Sequence, residues 1–298
     1  MPQYESERIV EGIKIKKTRR LPIKGSVLVK EGETVTADTV IAKGTVENPD
    51  IREVNVFSQL EVDPEDIKQY MLKEEGRNVK KDEVIAIHRS FFGRRTVTSR
   101  SPIEGTIERI STITGKVLIR GKPIHMEIKA HIPGRVSKII PEEGAIIETK
   151  GTLIEGVFGL GGERYAPIKM AVDRIGEPLT TDRITSEDTG EILVGGSIVS
   201  LEALRKASEM GVKGVITGSI DQKDLTDFLG YELGMGITGE EDIKFSLILT
   251  EGFGVRPLEE KIFKSLHENE GKYASIDGST QIRSRMIRPQ IIISNTKN

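Results

Sequence analysis

The sequence predicts a multidomain α+β protein in which a β-rich region precedes a small three-layer α/β domain with a parallel sheet. Two observations lead to this prediction. A frame built on Glu-Gly occurs three times, at Gly32, Gly76 and Gly144, and short apolar segments follow each glycine. From Glu191 onward, short apolar runs alternate with amphipathic helical patterns, as expected for parallel strands joined by crossover helices.

Composition narrows the possible classes of protein. The chain has 298 residues, of which 36% are hydrophobic and 30% charged, and its formal net charge is −2. This balance gives no reason to expect bulk attraction to nucleic acid or to an anionic membrane, and no apolar run approaches the ~20 residues of a membrane span. The chain contains no cysteine, so disulfides and thiolate metal sites are excluded. The polar N-terminus lacks a signal-peptide core, so we expect a cytoplasmic protein, with a composition that suits a warm-living organism.

The first elements are strands. Residues 8–20 alternate apolar and basic side chains, which predicts a strand whose basic residues form a solvated face. Residues 51–60 also predict a strand. Asp63 and Pro64 then favour the start of a helix, because Asp caps helices well and Pro is tolerated at the first helical position.

The repeated frame organises the β-rich region, residues 1–172. Glycine at the turn accepts the positive φ that a tight turn often needs. We pair the copy that begins at Pro22 with the one that begins at Pro133, and the copy at Gly76 with the segment at Pro102. The second pair, at about residues 70–120, is then inserted inside the first.

This frame resembles the half-motif of biotinyl and lipoyl carrier domains over roughly residues 20–160. The resemblance implies a barrel-sandwich hybrid made of two related halves, with a carrier lysine on the hairpin between them. No lysine occurs between Asp82 and Gly115, where that hairpin falls. Lys169, followed by Met170, is the remaining candidate for an acylated lysine, but it lies well downstream of the hairpin, and a solvated lysine in a β segment is the alternative. As a whole, the chain resembles bacterial proteins of unassigned function that join such a region to a small α/β domain.

In the predicted hairpin, residues 88–100, aromatic residues are interleaved with arginines. Such a pattern can stack on rings and bind phosphates or carboxylates. The alternative is that the phenylalanines enter a core and the arginines solvate its rim. A second glycine cluster, within residues 156–163, lacks the helix and the Lys-Ser/Thr pair of a phosphate loop. A bulged turn or a close approach of the backbone is the better interpretation, and a hinge or docking loop is the alternative. The candidate partner-binding residues are Phe91, Phe92, Arg94, Arg95, Gly159, Gly161 and Gly162.

Residues 173–188 form a polar linker to a Rossmann-like α/β domain at 189–274, and 275–298 predict a C-terminal β segment. Ligands of such sheets bind at the carboxyl ends of the strands, where helix N-termini favour anions. A phosphorylated small molecule is therefore possible there, although small polar residues also serve turn geometry. The candidate ligand-binding residues are Gly195, Gly196, Ser197, Thr217, Gly218, Ser219, Asp221, Thr250, Glu251 and Gly252.

The sequence leaves three functions open. The first is a non-catalytic binding or adaptor protein that engages a protein partner or a second copy of itself. The second is an enzyme or enzyme subunit that uses the strand-end loops. The third is a carrier that uses Lys169. The sequence assembles no catalytic triad, metal site or cofactor motif, so we expect no catalytic residues, metal or cofactor.

Overall fold

The computed structural model describes residues 8–90, 95–231, 243–280 and 288–296. The chain divides into two compact units. Unit 1 is formed from the segments Met1–Pro22, Ser26–Ala42 and Ile128–Asn298, and unit 2 from Ile23–Gly25 and Lys43–Glu127. Unit 2 contains the segment in which we predicted the inserted pair of half-motifs. The segment predicted as a separate α/β domain lies in unit 1 with the β-rich residues on either side of it.

Strands outnumber helices in the described part of the chain. The first four strands are β1 Ile9–Arg20, β2 Ser26–Val27, β3 Thr34–Val35 and β4 Val40–Val46. They are followed by β5 Ile51–Val54, helix α1 Val56–Leu60, helix α2 Ile67–Tyr70, β6 Asn78–Val79, β7 Val84–Ser90, β8 Arg95–Arg100, β9 Gly105–Ser111, β10 Lys116–Gly121 and β11 Ile124–Lys129. The remaining elements are β12 Gly134–Ile140, β13 Gly144–Glu155, β14 Phe158–Leu160, β15 Glu163–Met170, β16 Ile192–Val194, β17 Ile198–Val199, helix α3 Leu201–Met210, β18 Gly214–Ile220, helix α4 Gln222–Leu229, β19 Ser246–Phe253, helix α5 Glu260–Glu268, β20 Tyr273–Asp277 and β21 Gln290–Ser294.

One large mixed sheet organises unit 1. Its strand order is β14-β19-β18-β16-β15-β20-β21-β13-β12-β3, with β1 paired to β13 and β17 paired to β18. Strand β15 joins a parallel part to an antiparallel part, because it is parallel to β16 and antiparallel to β20. The C-terminal strands β20 and β21 complete the sheet by pairing with β15 and β13.

The parallel part of the sheet has a core on each face. Helices α3 and α4 pack on one face, where Leu204 and Leu225 join Val215 and Leu247 in one apolar cluster. Helix α5 packs on the other face, where it contributes to a second cluster that includes Ile216. Alternating side chains of each buried strand reach opposite faces, which explains why apolar residues occur on both faces of these strands.

The predicted strand at residues 8–20 is confirmed as β1, which pairs with β13 along almost its whole length. The prediction that its basic residues are solvated is wrong for Arg19, which is 6% exposed. Arg19 lies two residues from Lys17 and four from Ile15, so strand alternation places it on the same face as the buried Ile15.

The first two repeat copies make matching hydrogen bonds. The amide of Gly32 donates to the carbonyl of Val136 at 2.8 Å, and the amide of Gly76 donates to the carbonyl of Ile107 at 2.7 Å. In both copies, the partner's amide donates back to the residue after the glycine, at 2.8 and 3.0 Å. Both glycines have positive φ, 85° and 82°. In the structure, β3 of the first copy pairs with β12, and β6 of the second copy pairs with β9.

The third copy differs from the other two. The positive φ belongs to Glu142, at 62°, and Gly144 begins the long strand β13 instead of forming a turn. A Cβ at Gly144 would lie 1.9 Å from the carbonyl oxygen of Arg19. Close approach of β1 therefore requires this glycine, and the predicted turn at Gly144 is wrong.

Unit 2 corrects two local predictions. The predicted strand at 51–60 ends at Val54, because Asn55 caps α1 by accepting a hydrogen bond from the amide of Ser58 at 3.4 Å. The helix predicted from Asp63 is a 3-10 turn at Pro64–Asp66 followed by the single turn α2, and Asp63 makes no capping hydrogen bond.

The strands of unit 2 surround one apolar core that includes Leu60, Ile85 and Ile107. Strands β5, β10, β9 and β6 form one sheet, and β7 and β8 form another. A third sheet, of order β11-β4-β2, contains the two strands through which the chain enters and leaves unit 2. Over the described ranges, none of these sheets closes into a barrel, and the architecture is β-rich with mixed and antiparallel sheets. No helix in the described part of the chain is long and apolar enough to cross a membrane.

Candidate functional site

Strands β7 and β8 form a two-stranded antiparallel ribbon in unit 2. Its register places Ser90 opposite Arg95 and His88 opposite Val97. The predicted partner residues Phe91, Phe92 and Arg94 fall between the two strands in sequence and lie outside the described residues. Arg95 begins β8 and is exposed.

The base of the ribbon is fixed to the helices of unit 2. Nδ1 of His88 lies 2.9 Å from the carbonyl oxygen of Leu60 at the end of α1, and the His88 ring meets the ring of Tyr70 edge-on at 4.9 Å. On β8, the hydroxyl of Ser99 donates to Oε1 of Gln59 at 2.5 Å. These contacts hold the ribbon from both of its strands, so its position in unit 2 is defined.

The described part of the ribbon carries exposed arginines. Arg95 contacts both carboxylate oxygens of Glu61 at 3.2 and 3.3 Å, but the two side chains are 65% and 64% exposed. An ion pair this exposed contributes at most about 1 kcal/mol, so Glu61 holds Arg95 only weakly. Arg89 is also exposed, and Arg100 donates to the carbonyl of Asp82 at 2.7 Å.

The predicted ligand loops of unit 1 do lie at the carboxyl ends of parallel strands, but segments of unit 1 itself cover two of them. After β16, the amides of Gly196 and Ser197 donate to the carbonyl of Glu177 at 3.2 and 2.9 Å. A Cβ at Gly196 would lie 2.5 Å from the carbonyl oxygen of Arg174, and one at Gly195 would lie 2.9 Å from Leu179. The predicted linker therefore packs over this strand end.

The end of β18 is filled in the same way. The buried hydroxyl of Thr217 donates to the carbonyl of Ser197 at 3.0 Å, and that of Ser219 donates to the carbonyl of Arg256 at 3.1 Å. A Cβ at Gly218 would lie 2.1 Å from the same Arg256 oxygen. Asp221 caps α4 by accepting from the amide of Lys223 at 2.8 Å. These polar groups serve folding, because each already has a protein partner.

The end of β19 is built around an arginine that sequence reasoning missed. Arg8 lies 3.0 Å from Glu251 and 3.1 Å from Glu259, and it also donates to the carbonyl of Thr250. Burial opposes ionisation of Arg8, but the hydrogen bonds and charges of the two glutamates outweigh it and raise the pKa of Arg8. The Thr250 hydroxyl is buried and has no hydrogen-bond partner among the described residues. Gly252 has a φ of 92°.

Part of the predicted docking loop at 156–163 is a buried strand, β14, at Phe158–Leu160. β14 pairs antiparallel with β19, and Gly159 and Gly161 are buried. The amide of Gly159 donates to the hydroxyl of Thr280 at 2.9 Å. A Cβ at Gly161, whose φ is 89°, would lie 2.1 Å from the carbonyl oxygen of Phe245, and the adjoining Gly162 is partly buried with a φ of 60°. These glycines therefore permit close packing within unit 1.

Lys169 is held by two carboxylates. Its Nζ lies 2.5 Å from Asp188, which is 3% exposed, and 3.6 Å from Glu191. The hydrogen bond to Asp188 raises the pKa of Lys169. A protonated amine in an ion pair is a poor acyl acceptor, because acylation needs the neutral amine.

Comparison of the chain with models of protein families, with curated proteins and with solved structures found no match. Within the described ranges, no group of three or more histidine, aspartate or glutamate side chains is placed to hold a metal ion.

A buried ion pair in unit 1 is the main polar feature that the sequence prediction missed. Arg19 makes two parallel hydrogen bonds to Glu163, at 2.6 and 2.7 Å, and donates to the carbonyl of Ala130 at 2.6 Å. The side chains of Arg19 and Glu163 are 7% and 15% exposed. Ser275 donates to the same carboxylate at 3.1 Å. Burial tends to raise the pKa of Glu163, but the hydrogen bonds and charge of Arg19 outweigh burial, and the pKa is lowered.

His131 lies within the electrostatic reach of this pair, and burial lowers its pKa. The folded state therefore favours neutral His131, whose contribution to stability is complete above the ordinary pKa of ~6.5 and is lost as pH falls through the lower folded pKa. We expect His131→Asn to reduce the loss of melting temperature between about pH 6.5 and 5. Asparagine tolerates the φ of 54° at this position and does not titrate.

Melting curves across this pH range check the prediction. His267→Asn is the matched control, because His267 is exposed on α5 of the same unit. An unchanged pH slope in His131→Asn, or an equal change in His267→Asn, would contradict the role of His131.

Proposed function

We propose that this chain is a non-catalytic binding protein that engages a protein partner through the β7–β8 ribbon of unit 2. The observation that carries the proposal is the anchored ribbon itself. Its base is fixed by His88 and Ser99, its described strands expose Arg89 and Arg95, and its tip has the sequence Phe-Phe-Gly-Arg. Arginine is enriched among the residues that dominate protein interfaces, and phenylalanine is enriched in interfaces as a whole.

The scaffold behind the ribbon supports the same proposal. We infer that the pair of half-motifs in unit 2 forms a barrel-sandwich-like scaffold of the kind found in biotinyl and lipoyl carriers, and that the pair in unit 1 follows the same pattern. The support is the matching set of hydrogen bonds at Gly32 and Gly76. The ribbon follows the second copy directly, where carriers have their hairpin lysine. Arginines and phenylalanines in that place favour recognition of a partner over attachment of a prosthetic group.

The alternative functions have less support. We infer that the parallel strands and helices of unit 1 form a Rossmann-like element, but protein segments fill the ends of β16 and β18, where a phosphorylated ligand would bind. The carrier function depends on Lys169, which is paired with Asp188 and Glu191. Arginines near the ribbon tip instead favour a partner with carboxylate groups beside an apolar or aromatic pocket.

A variant of the ribbon tests the proposal. We expect Phe91→Ala, Phe92→Ala, Arg94→Ser and Arg95→Ser together to reduce the amount of partner that co-purifies at native expression levels at least tenfold, since loss of interface anchors costs about 2 kcal/mol or more. The control is Arg77→Ser with Arg109→Ser, two exposed arginines elsewhere in unit 2.

Cross-linking makes the test specific. A photoreactive residue in place of the exposed Thr96 should capture the same partner, whereas one in place of Arg109 should not. Retention of the partner by the ribbon variant, or an equal loss from the control variant, would overturn the proposal. Matching melting curves establish that the variants remain folded.

A further inference from the structure

The antiparallel part of unit 1 exposes a group of cations that the proposed function does not use. Pairing of β1 with β13 places Lys14 opposite Lys150 and Lys16 opposite Glu148. Pairing of β12 with β13 places Arg135 opposite the same Glu148. All four cationic side chains belong to exposed residues. Because paired residues on neighbouring strands share a face, these groups lie together on the open face of β1, β13 and β12.

In the described pairing of β1, β13 and β12, Glu148 is the one carboxylate among these four cations. Glu148 lies 2.7 Å from Lys14 and 3.7 Å from Lys16, and these lysines lower its pKa. Arg135 uses its Nε to donate to the carbonyl of Gly32 at 2.9 Å, which fixes its guanidinium group. The face therefore carries an excess of positive charge around a central, ionised glutamate.

A groove of about 430 Å³ lies within this face. Its walls include Lys14, Arg135, Glu148 and Lys150, with Thr34 and Thr296 adding hydroxyl groups. A groove of this size falls within the range of small-molecule sites, roughly 300 to 1,000 Å³. Ammonium, guanidinium and hydroxyl groups around one concave surface are donors suited to phosphate oxygens.

We propose that this groove binds a condensed phosphate, either free or as the polyphosphate part of a nucleotide. Lys14, Arg135 and Lys150 neutralise the ligand, and Glu148 positions Lys14 while opposing the ligand's charge. The site lies wholly in unit 1 and is independent of the ribbon, so the two proposals can fail separately.

Tripolyphosphate is the probe that tests the site, with calorimetry on the full chain at low and at physiological salt. We expect saturable binding at one site and a loss of affinity of about tenfold or more in Arg135→Gln and in Lys150→Gln, as for a lost charge-assisted hydrogen bond. Lys264→Gln, which removes an equally exposed charge on α5, should leave affinity unchanged.

The sign of one variant separates this site from general attraction to a basic surface. Glu148→Gln removes the opposing charge and should tighten tripolyphosphate binding severalfold. Stronger binding of a nucleoside triphosphate than of tripolyphosphate would support the nucleotide form, and equal binding the free form. The proposal would be overturned if tripolyphosphate did not bind saturably, or if the chain bound single-stranded RNA but not tripolyphosphate. Equal weakening of binding in Lys264→Gln, or weaker binding in Glu148→Gln, would also overturn it.

Discussion

Replacement of Arg19 by methionine is expected to lower the free energy of unfolding of unit 1 by about 3 to 5 kcal/mol, the usual cost of removing one partner from a buried ion pair. Methionine leaves the Glu163 carboxylate in a site where its side chain is 15% exposed. The hydroxyl of Ser275 still donates to that carboxylate, but it brings no positive charge. Chemical denaturation followed by circular dichroism, with hydrogen exchange at β1 and β15, measures the loss.

The neighbouring residue supplies a matched control. Arg20 also pairs with a glutamate, Glu143, at 2.5 Å, but the two side chains are 58% and 35% exposed. Water screens this pair, so Arg20→Met should cost no more than about 1 kcal/mol. A double replacement, Arg19→Met with Glu163→Leu, should recover much of the loss because it leaves no buried charge. Equal effects of Arg19→Met and Arg20→Met would contradict this account.

The Arg19–Glu163 pair also predicts a loss of stability at acid pH. The pKa of Glu163 is lower in the folded state than its ordinary value. Its contribution is therefore complete above the unfolded pKa of ~4.3 and is lost as pH falls through the folded pKa. Arg19→Met should reduce this loss, because the carboxylate then loses the partner that lowers its pKa.

Replacement of Gly218 by alanine is expected to destabilise unit 1 by about 3 kcal/mol, near the upper end for adding a methyl group to filled space. The new Cβ would lie 2.1 Å from the carbonyl oxygen of Arg256 and 2.8 Å from the amide nitrogen of Leu258. Both atoms belong to backbone, so a side-chain rotation cannot relieve the contact. Chemical denaturation again provides the measurement.

Gly176→Ala is the control for this replacement. A Cβ there meets no atom within 4 Å, so the change in stability should stay within about 0.5 kcal/mol. If Gly218→Ala is equally mild, the end of β18 is less filled than the structure shows, and a ligand site there regains support. The strain also means that a bulky residue at 218 cannot test ligand binding, because the fold itself would be disturbed.

Local patterns predicted the elements that depend on nearby residues. Alternation over residues 8–20 predicted β1, and the repeated frame predicted turns at Gly32 and Gly76, which make matching hydrogen bonds in the structure. Local patterns were less reliable where one polar side chain changed the backbone conformation. Asn55, for example, caps a helix within the segment predicted as a strand. The same patterns located the hairpin that the proposed function uses.

The candidate site shows the limit of such patterns more clearly. Glycine and small polar residues at the strand ends of unit 1 fit a ligand loop and a tightly packed turn equally well. The choice depends on segments distant in sequence, such as Arg256, which packs against Gly218. Likewise, alternation places Arg19 on the buried face, but its partner Glu163 lies 144 residues away in sequence, and only the tertiary fold brings the two together.

By itself, the sequence determined the β-rich character of the chain, the turns at Gly32 and Gly76, and an arginine-bearing ribbon after the second copy. These follow from short-range periodicity and turn chemistry. Only the tertiary structure decided that one sheet joins the parallel and antiparallel strands of unit 1 through β15 and the C-terminal strands. It also decided that other segments of unit 1 fill the ends of β16 and β18, and that Arg19 is buried with Glu163. Each of these features depends on which distant segments come into contact. Close packing and charge pairing between those segments then determine whether a glycine or an arginine is exposed or buried.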